Sequence, residues 1–325
     1  MQIDKSQVRR ILVITLSNVG DIILTTPAIR TLAREFPDAR MDVMVSPNGR
    51  GIFSQDPRIF KLIVYDKHLP IAEKRRLQLK LKKLSYDLVV DFKNTLFPIL
   101  LGPKYRTATI QRFPKKLAHK IDRHLYRLKS LGICASDRRS YIYISPKDEE
   151  RATGFMKNNN IREPMIVVNP GAKSHLKRWA SEGFAKVSDR LMAECGAGIV
   201  FIGLKEDSDV VRDVMKRMNA KPHNLVDKTS IGELAGLLKR AKLLITNDSA
   251  PLHLGCAVGA RVLALFGPTD PKKYGPTGEF DCVIREKLSC SPCESAACKY
   301  NYECMKSISE EAVFDTARMM IEGYE

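Results

Sequence analysis

Three groups of residues in this chain have types and spacing suited to chemistry on an anionic substrate. The first is Ser17-Asn18-Val19-Gly20-Asp21, where the Asp21 carboxylate follows a short apolar run. A carboxylate in such a turn either caps the next helix or acts as a general base. The second is Asn169-Pro170-Gly171-Ala172-Lys173-Ser174-His175-Leu176-Lys177-Arg178-Trp179, a turn-rich loop with three cations, closed by the single Trp of the chain. Lysine is a flexible point charge, so Lys177 or Lys173 can neutralise a diphosphate without a metal; the plainer reading is a solvated basic loop anchored by Trp179. The third runs from Thr246 through Asn247, Asp248, Ser249, Ala250 and Pro251 to His253. Asp248 and Ser249 offer N-cap chemistry, and Pro251 suits a first helical turn. A helix start of this kind presents unpaired N–H groups and partial positive charge, which favour an anionic ligand, whereas a plain cap followed by a polar histidine accounts for the same residues.

Each group sits at the end of an expected strand. Arg9–Thr15 precedes Asp21, Met165–Val168 precedes the Lys177 loop, and Leu243–Thr246 precedes Asp248. Further strand-like runs fall at 41–45, 61–65, 87–92, 141–144, 198–203, 224–227 and 261–267, with helix-length spacers between them. That alternation predicts parallel sheets, and two such halves predict an α/β protein of two Rossmann-like doubly wound domains facing a central cleft. Ligands of such sheets bind at the carboxyl ends of the strands. The first turn has neither G-x-G-x-x-G nor a P-loop pattern. A polar stretch from Ser145 to Asn160 sets the expected domains at 1–155 and 156–325. Residues 73–84 place Leu77, Leu81 and Leu84, with Leu88 next in the series, beneath a dense basic face, as in a helix lying on a sheet; membrane contact is the alternative, for which a basic amphipathic pattern alone is weak support.

A chain of 325 residues suits two domains. No run reaches the length of a membrane span, and Met1-Gln2-Ile3-Asp4-Lys5 does not open a signal peptide, so the expected compartment is the cytoplasm. Cys134, Cys195 and Cys256 stand singly among apolar or small residues and are expected to be buried, reduced thiols. The net charge of +17 is uneven: residues 1–150 carry 29 Lys and Arg against 15 Asp and Glu, the remainder 25 against 22. Nucleic acid, an anionic membrane surface and a phosphorylated saccharide each satisfy that demand. A second basic run, from Lys104 to Lys129, holds Arg106, Arg112, Lys115, Lys116, Lys120, Arg123 and Arg127, which together could handle a phosphorylated or membrane-embedded partner.

Gly20-Asp21, then Asn169-Pro170-Gly171 with Lys177-Arg178-Trp179, then Asn247-Asp248-Ser249-Ala250 with His253 occur in an order that resembles glycosyltransferase family 9, the ADP-heptose:lipopolysaccharide heptosyltransferases. The resemblance implies a GT-B fold with the acceptor on the first domain and the nucleotide sugar on the second. It implies Asp21 as catalytic base and Lys177 as the lysine on the donor phosphates. Asn169, Gly171, Ala172, Lys173, Asp248, Ser249, Ala250 and His253 would line the donor site, with Gly203, Glu206 and Thr229 near the nucleoside. Asn18, Gly20, Arg106, Arg112 and Lys115 would meet the acceptor. Some relatives carry paired hydroxyl residues where Ala172 and Lys173 stand, so the exact phosphate contacts do not follow from the resemblance. The implied partners are an ADP-sugar donor, a phosphorylated lipid-anchored saccharide and the anionic inner face of the inner membrane, with no cofactor, no metal and no nucleic acid.

Glycosyl transfer builds positive charge on the anomeric carbon and negative charge on the departing diphosphate, while an acceptor hydroxyl loses its proton. One base and one cationic cradle meet those needs, and direct displacement inverts the anomeric centre. Asp207-Ser208-Asp209 has D-x-D spacing but reads as the acidic first turn of a helix. Cys290, Cys293, Cys298 and Cys304 admit a metal or disulfide cluster, with reduced structural thiols the simpler assignment. A terminal helix over 308–324, apolar at Ala312, Phe314, Ala317, Met320 and Ile321, is expected to return to the first domain. Transfer of another sugar, nucleotide-sugar epimerisation, and a non-catalytic anion-binding protein are the competing functions. The last lacks aromatic-interleaved basic motifs.

Overall fold

The structure is a computed structural model that describes residues 3–135 and 137–323. It divides into two compact units, Met1–Tyr143 and Ile144–Glu325. The first holds a five-stranded parallel sheet of β1 (Arg10–Thr15), β2 (Arg40–Val45), β3 (Lys61–Val64), β4 (Leu88–Asp91) and β5 (Tyr105–Arg106), in the order β3-β2-β1-β4-β5. The second holds β6 (Met165–Asn169), β7 (Gly198–Phe201), β8 (His223–Asn224), β9 (Leu243–Asn247), β10 (Val262–Phe266) and β11 (Cys282–Arg285), ordered β11-β10-β9-β6-β7-β8, again all parallel. Both orders are doubly wound. The chain moves outward from the first strand of the unit, then returns to its other side. The central strands are almost wholly buried, as the apolar runs Ile11–Ile14, Met165–Val168 and Val262–Phe266 require of a sheet covered on both faces.

The sequence-predicted strands of the interior are all present, but several boundaries move. Residues 141–144 form no strand, and the division between the units runs through them rather than at 155/156. The reason is the helix Pro146–Asn158, which belongs to the second unit. Ser145 accepts from the Asp148 amide to cap it, and two ion pairs tie it to helix Ile231–Arg240: Glu149 with Lys239 at 2.7 Å and Arg151 with Glu233 at 2.6 Å. Gly232 lets the two helices approach, because a Cβ there would strike the Asp148 carboxylate.

The last helix, Glu310–Glu322, lies in the core of the second unit, where Val313, Phe314, Ala317, Met320 and Ile321 are buried with helix Ser181–Glu194 and the sheet. Val313 takes the inward place assigned to Ala312, which is exposed. In the first unit, helix Ile71–Lys82 buries Leu81 and packs Leu77 and Leu84 on the core, whereas Leu88 belongs to β4. Cys134 is exposed rather than buried, and Cys195 and Cys256 are partly buried; burial beside Asp281 pushes the Cys256 thiol up to about 12. Among the described residues no helix is long and apolar enough to cross a membrane.

Candidate functional site

In each unit the chain diverges at the carboxyl end of its first strand: between β1 and β4 in one, between β6 and β9 in the other. Such a switch point leaves a crevice where ligands of open α/β sheets bind. All three chemically suggestive segments lie at these two places.

In the first unit, Ile14 pairs with Asp91, so the loops that follow β1 and β4 emerge side by side. Asp21 is in the first turn of the short helix Val19–Ile23 and is half-buried. Its Oδ2 accepts from Ser17 Oγ at 2.9 Å, and Ser17 Oγ in turn accepts from Lys93 Nζ at 3.2 Å. Lys93, two residues past β4, went unremarked in the sequence because nothing local marks it; only sheet order places it beside Ser17. Asn18 is exposed at the N-cap and Gly20 is buried. The loop after β4 is held by Asp91, which accepts from the Lys93 and Thr95 amides, and by Arg127, which donates to Asp91 O at 3.1 Å and Asn94 Oδ1.

Arg127 is therefore a buried structural group, not part of an outward cationic face, and Arg123 is likewise turned inward to Leu117 O. Arg106 is exposed on the edge strand β5 and donates to Pro98 O; Arg112 and Lys115 are exposed in the loop that leads to helix Lys120–Lys129. Beside Arg127, the imidazole of His124 stacks edge-on to Phe92, and its Nδ1 is shielded from water with no partner among the described residues. Burial, reinforced by Arg127 and Lys120, pushes His124 down to about 3.

The second unit is more tightly built. Asn169 ends β6 opposite Thr246 of β9, and its amide donates to Gly171 O, Thr246 Oγ1 and Ser249 Oγ at 2.9 to 3.1 Å. Asn247 answers from the other strand: its amide donates to Pro170 O at 2.8 Å and its Oδ1 accepts from the Trp179 amide at 3.1 Å. Two buried asparagines thus lash the two loops together. Trp179 anchors the far end, with Nε1 donating to Ile308 O and its ring edge-on to Phe184.

Within that frame Lys177 Nζ lies 2.6 Å from Asp248 Oδ2, which also accepts from Thr269 Oγ1 at 2.6 Å. Asp248 is buried, whereas Lys177 keeps about a third of its side chain exposed. Ser249 stands at the N-cap of helix Ala250–Val258, yet its hydroxyl makes no cap; it bonds back to Asn247 O and Asn169. The helix start therefore has no side-chain cap from Ser249, although a simple cap was one reading of the sequence. His253 is buried on the same helix, and Ala250 begins it.

Gly171 and Gly203 have a shared reason to be glycine. The Asp207 side chain lies against both: a Cβ at Gly171 would collide with its carboxylate, and one at Gly203 with its Cβ. Asp207 accepts from the Leu204 amide, pairs with Arg178 at 3.7 Å and precedes helix Ser208–Arg217, so its role is local architecture, as its first-turn position predicts. Arg178 also donates to Ala172 O, which leaves Lys177 and the exposed Lys173 as the cations nearer to a ligand. Glu206 is exposed just beyond β7 and Thr229 follows β8, both along the same carboxyl edge. In the tail, Cys298 Sγ accepts from the Tyr300 and Tyr302 amides, and burial together with Cys290, Cys298 and Cys293 pushes the Cys304 thiol up. Among the described residues no three His, Cys, Asp or Glu side chains converge on a point where a metal ion would sit.

Two Rossmann-like units in tandem, each with its polar chemistry gathered at the switch point, define the class: a two-domain α/β protein of GT-B type. The particular family follows from sequence. Residues 104–303 match the model of glycosyltransferase family 9 (heptosyltransferase). The chain is 26% identical over 314 residues to lipooligosaccharide heptosyltransferase 2 of Campylobacter jejuni, covering 94% of this chain and 96% of that one. It superposes on a family 9 glycosyltransferase from Veillonella parvula with a TM-score of 0.83, 27% identity and 97% coverage of both chains. A further superposition, on the ADP-heptose LPS heptosyltransferase II of Escherichia coli, has a TM-score of 0.77 at 22% identity over 96% of this chain and 98% of the other, a likeness of fold. The chain belongs to glycosyltransferase family 9 and is a glycosyltransferase.

Proposed function

We propose that this protein is an inverting heptosyltransferase that moves a heptose from ADP-heptose to the inner core of lipopolysaccharide, drawing its charge stabilisation from protein groups and no metal. The observation that carries the reading is the uncapped start of helix Ala250–Val258 beside the Lys177–Asp248 pair. Helix-start amides that Ser249 does not cap and a partly exposed ammonium form a cradle for a leaving diphosphate. Asp248, paired with Lys177 and accepting from Thr269 Oγ1, holds the ammonium in place. The names of the relatives, heptosyltransferases of lipooligosaccharide and lipopolysaccharide, support the sugar and the acceptor class, and one fold neighbour is named for ADP-heptose.

In this reading Lys177 and the helix amides take up the charge that develops on the diphosphate, with Asn169, Gly171, Ala172, Lys173, Ser249, Ala250 and His253 shaping the site and Gly203, Glu206 and Thr229 towards the nucleoside. Asp21 removes the proton of the acceptor hydroxyl as its oxygen forms a bond to the anomeric carbon and the bond to the diphosphate breaks. Asn18, Gly20, Arg106, Arg112 and Lys115 orient the phosphorylated acceptor. One displacement inverts the anomeric centre. The test is a thermal-shift panel of ADP-, UDP-, GDP- and CDP-sugars followed by product analysis. Stabilisation by ADP-heptose and an inverted product support the assignment; selective stabilisation by another nucleotide sugar, or epimerised free sugar nucleotide as product, replaces it.

A further inference from the structure

The surface of the first unit holds a feature that the transfer chemistry leaves unused. Helix Ile71–Lys82 packs Leu77 and Leu81 inward, yet Leu79 points the opposite way and is 50% exposed. On a 3.6-residue helix the positions around Leu79 on that outer face are Arg75, Arg76 and Lys83, with Lys80 and Lys82 flanking. None of these five cations is ion-paired among the described residues, although both partners of many other surface charges are engaged. Ile71, at the start of the same helix, is 84% exposed. The short helix Phe97–Leu101 packs against it and repeats the pattern: Phe97 and Leu101 are buried, while Leu96, Ile99 and Leu100 stand in the open.

Two touching helices therefore expose leucine and isoleucine side chains among unpaired lysines and arginines. Apolar tips of this size gain nothing from a phosphodiester backbone or from a carbohydrate, but they enter the acyl boundary of a bilayer while the cations meet anionic headgroups. Neither signal alone gives stable anchoring; together they do. We propose that this two-helix face docks the protein on an anionic lipid bilayer. Its chemistry is read from the surface of one unit alone, while its purpose rests on the proposed lipid-anchored acceptor. Vesicle binding and turnover are therefore measured separately.

The experiment is flotation of the full chain with phosphatidylcholine vesicles containing no or 30% phosphatidylglycerol, using the wild type, a Leu79→Asp/Leu100→Asp double variant, an Arg75→Ala/Arg76→Ala double variant and a Met319→Asp control on the exposed side of the last helix. Flotation with the anionic vesicles only, weakened at least ten-fold in both double variants and by high salt, and equal to wild type in the control, is the expected result. Absence of flotation, flotation untouched by the leucine variant, or equal binding to neutral vesicles overturns the proposal. So does tighter binding of a DNA or RNA oligonucleotide that the leucine variant leaves intact. Transfer to an acceptor stripped of its acyl chains keeps its rate in the leucine variant, while transfer to vesicle-embedded acceptor falls. If neither acceptor is used by any form of the protein but flotation behaves as expected, the transferase reading fails and the docking face stands.

Discussion

The two switch points differ in how firmly their polar groups are held. At the second, Asn169, Thr246, Ser249 and Asn247 form one hydrogen-bonded group, and beside it Asp248 is held by both Lys177 and Thr269. At the first, the Asp21 carboxylate is steered by one hydroxyl, and that hydroxyl by one exposed lysine. A rigid frame suits a site that must present fixed charge to a diphosphate, because preorganised dipoles cost no reorganisation during reaction. A lightly held carboxylate suits a group that must meet a proton on an incoming hydroxyl.

Breaking each side of this comparison gives effects of graded size. The largest belongs to Asp21→Asn, which keeps the shape but removes the proposed base: on the proposed mechanism kcat falls roughly 10²–10⁴-fold while ADP-heptose affinity by calorimetry stays near wild type. Unaltered turnover in that variant removes Asp21 from the reaction. Lys177→Ala comes next, with kcat/KM lower by on the order of 10²–10³-fold and weaker donor binding, since the proposed cation on the leaving group is gone. Lys177→Arg recovers only part of it, because a planar fork does not replace a point charge.

Asn247→Ala tests rigidity itself. It strands the Pro170 carbonyl and the Trp179 amide and is expected to cost about 1–3 kcal/mol in denaturant unfolding, where the same change at exposed Asn18 costs far less. Lys93→Met sharpens the contrast from the loose side: kcat should change by only about two- to five-fold, the worth of an exposed charged contact, with no loss of stability.

The pH dependence of stability offers a last comparison. His124 is held neutral in the fold and ionises near 6.5 when unfolded, so the unfolded chain binds a proton first as pH falls. Stability is accordingly complete above about pH 6.5 and declines from there down towards pH 3. Urea midpoints at pH 7 and pH 5 should differ less in His124→Leu than in the wild type; equal slopes in the two proteins refute the assignment.

The interior strands were legible because a strand buried on both faces must be apolar from end to end, as in Ile11–Ile14 and Val262–Phe266. The edge strands Tyr105–Arg106 and Cys282–Arg285 carry mixed, partly exposed residues and gave no such signal. The Asp21, Lys177 and Asp248 segments stood out for the same local reason, since turn residues and charges after an apolar run are visible without knowledge of neighbours. Arg127 misled because charge in sequence does not disclose direction; its guanidinium is buried against Asp91 O and Asn94.

What the sequence by itself determined is the rhythm of strands and helices and the kind of chemistry at their junctions, because both depend on residue type and spacing along one chain. Only the tertiary structure decided that Lys93 reaches Ser17, that Ser249 leaves its helix uncapped in favour of Asn169, and that the last helix fills the second core. Those outcomes depend on which strands lie side by side, and strand order is settled by the burial of whole faces rather than by any residue in isolation.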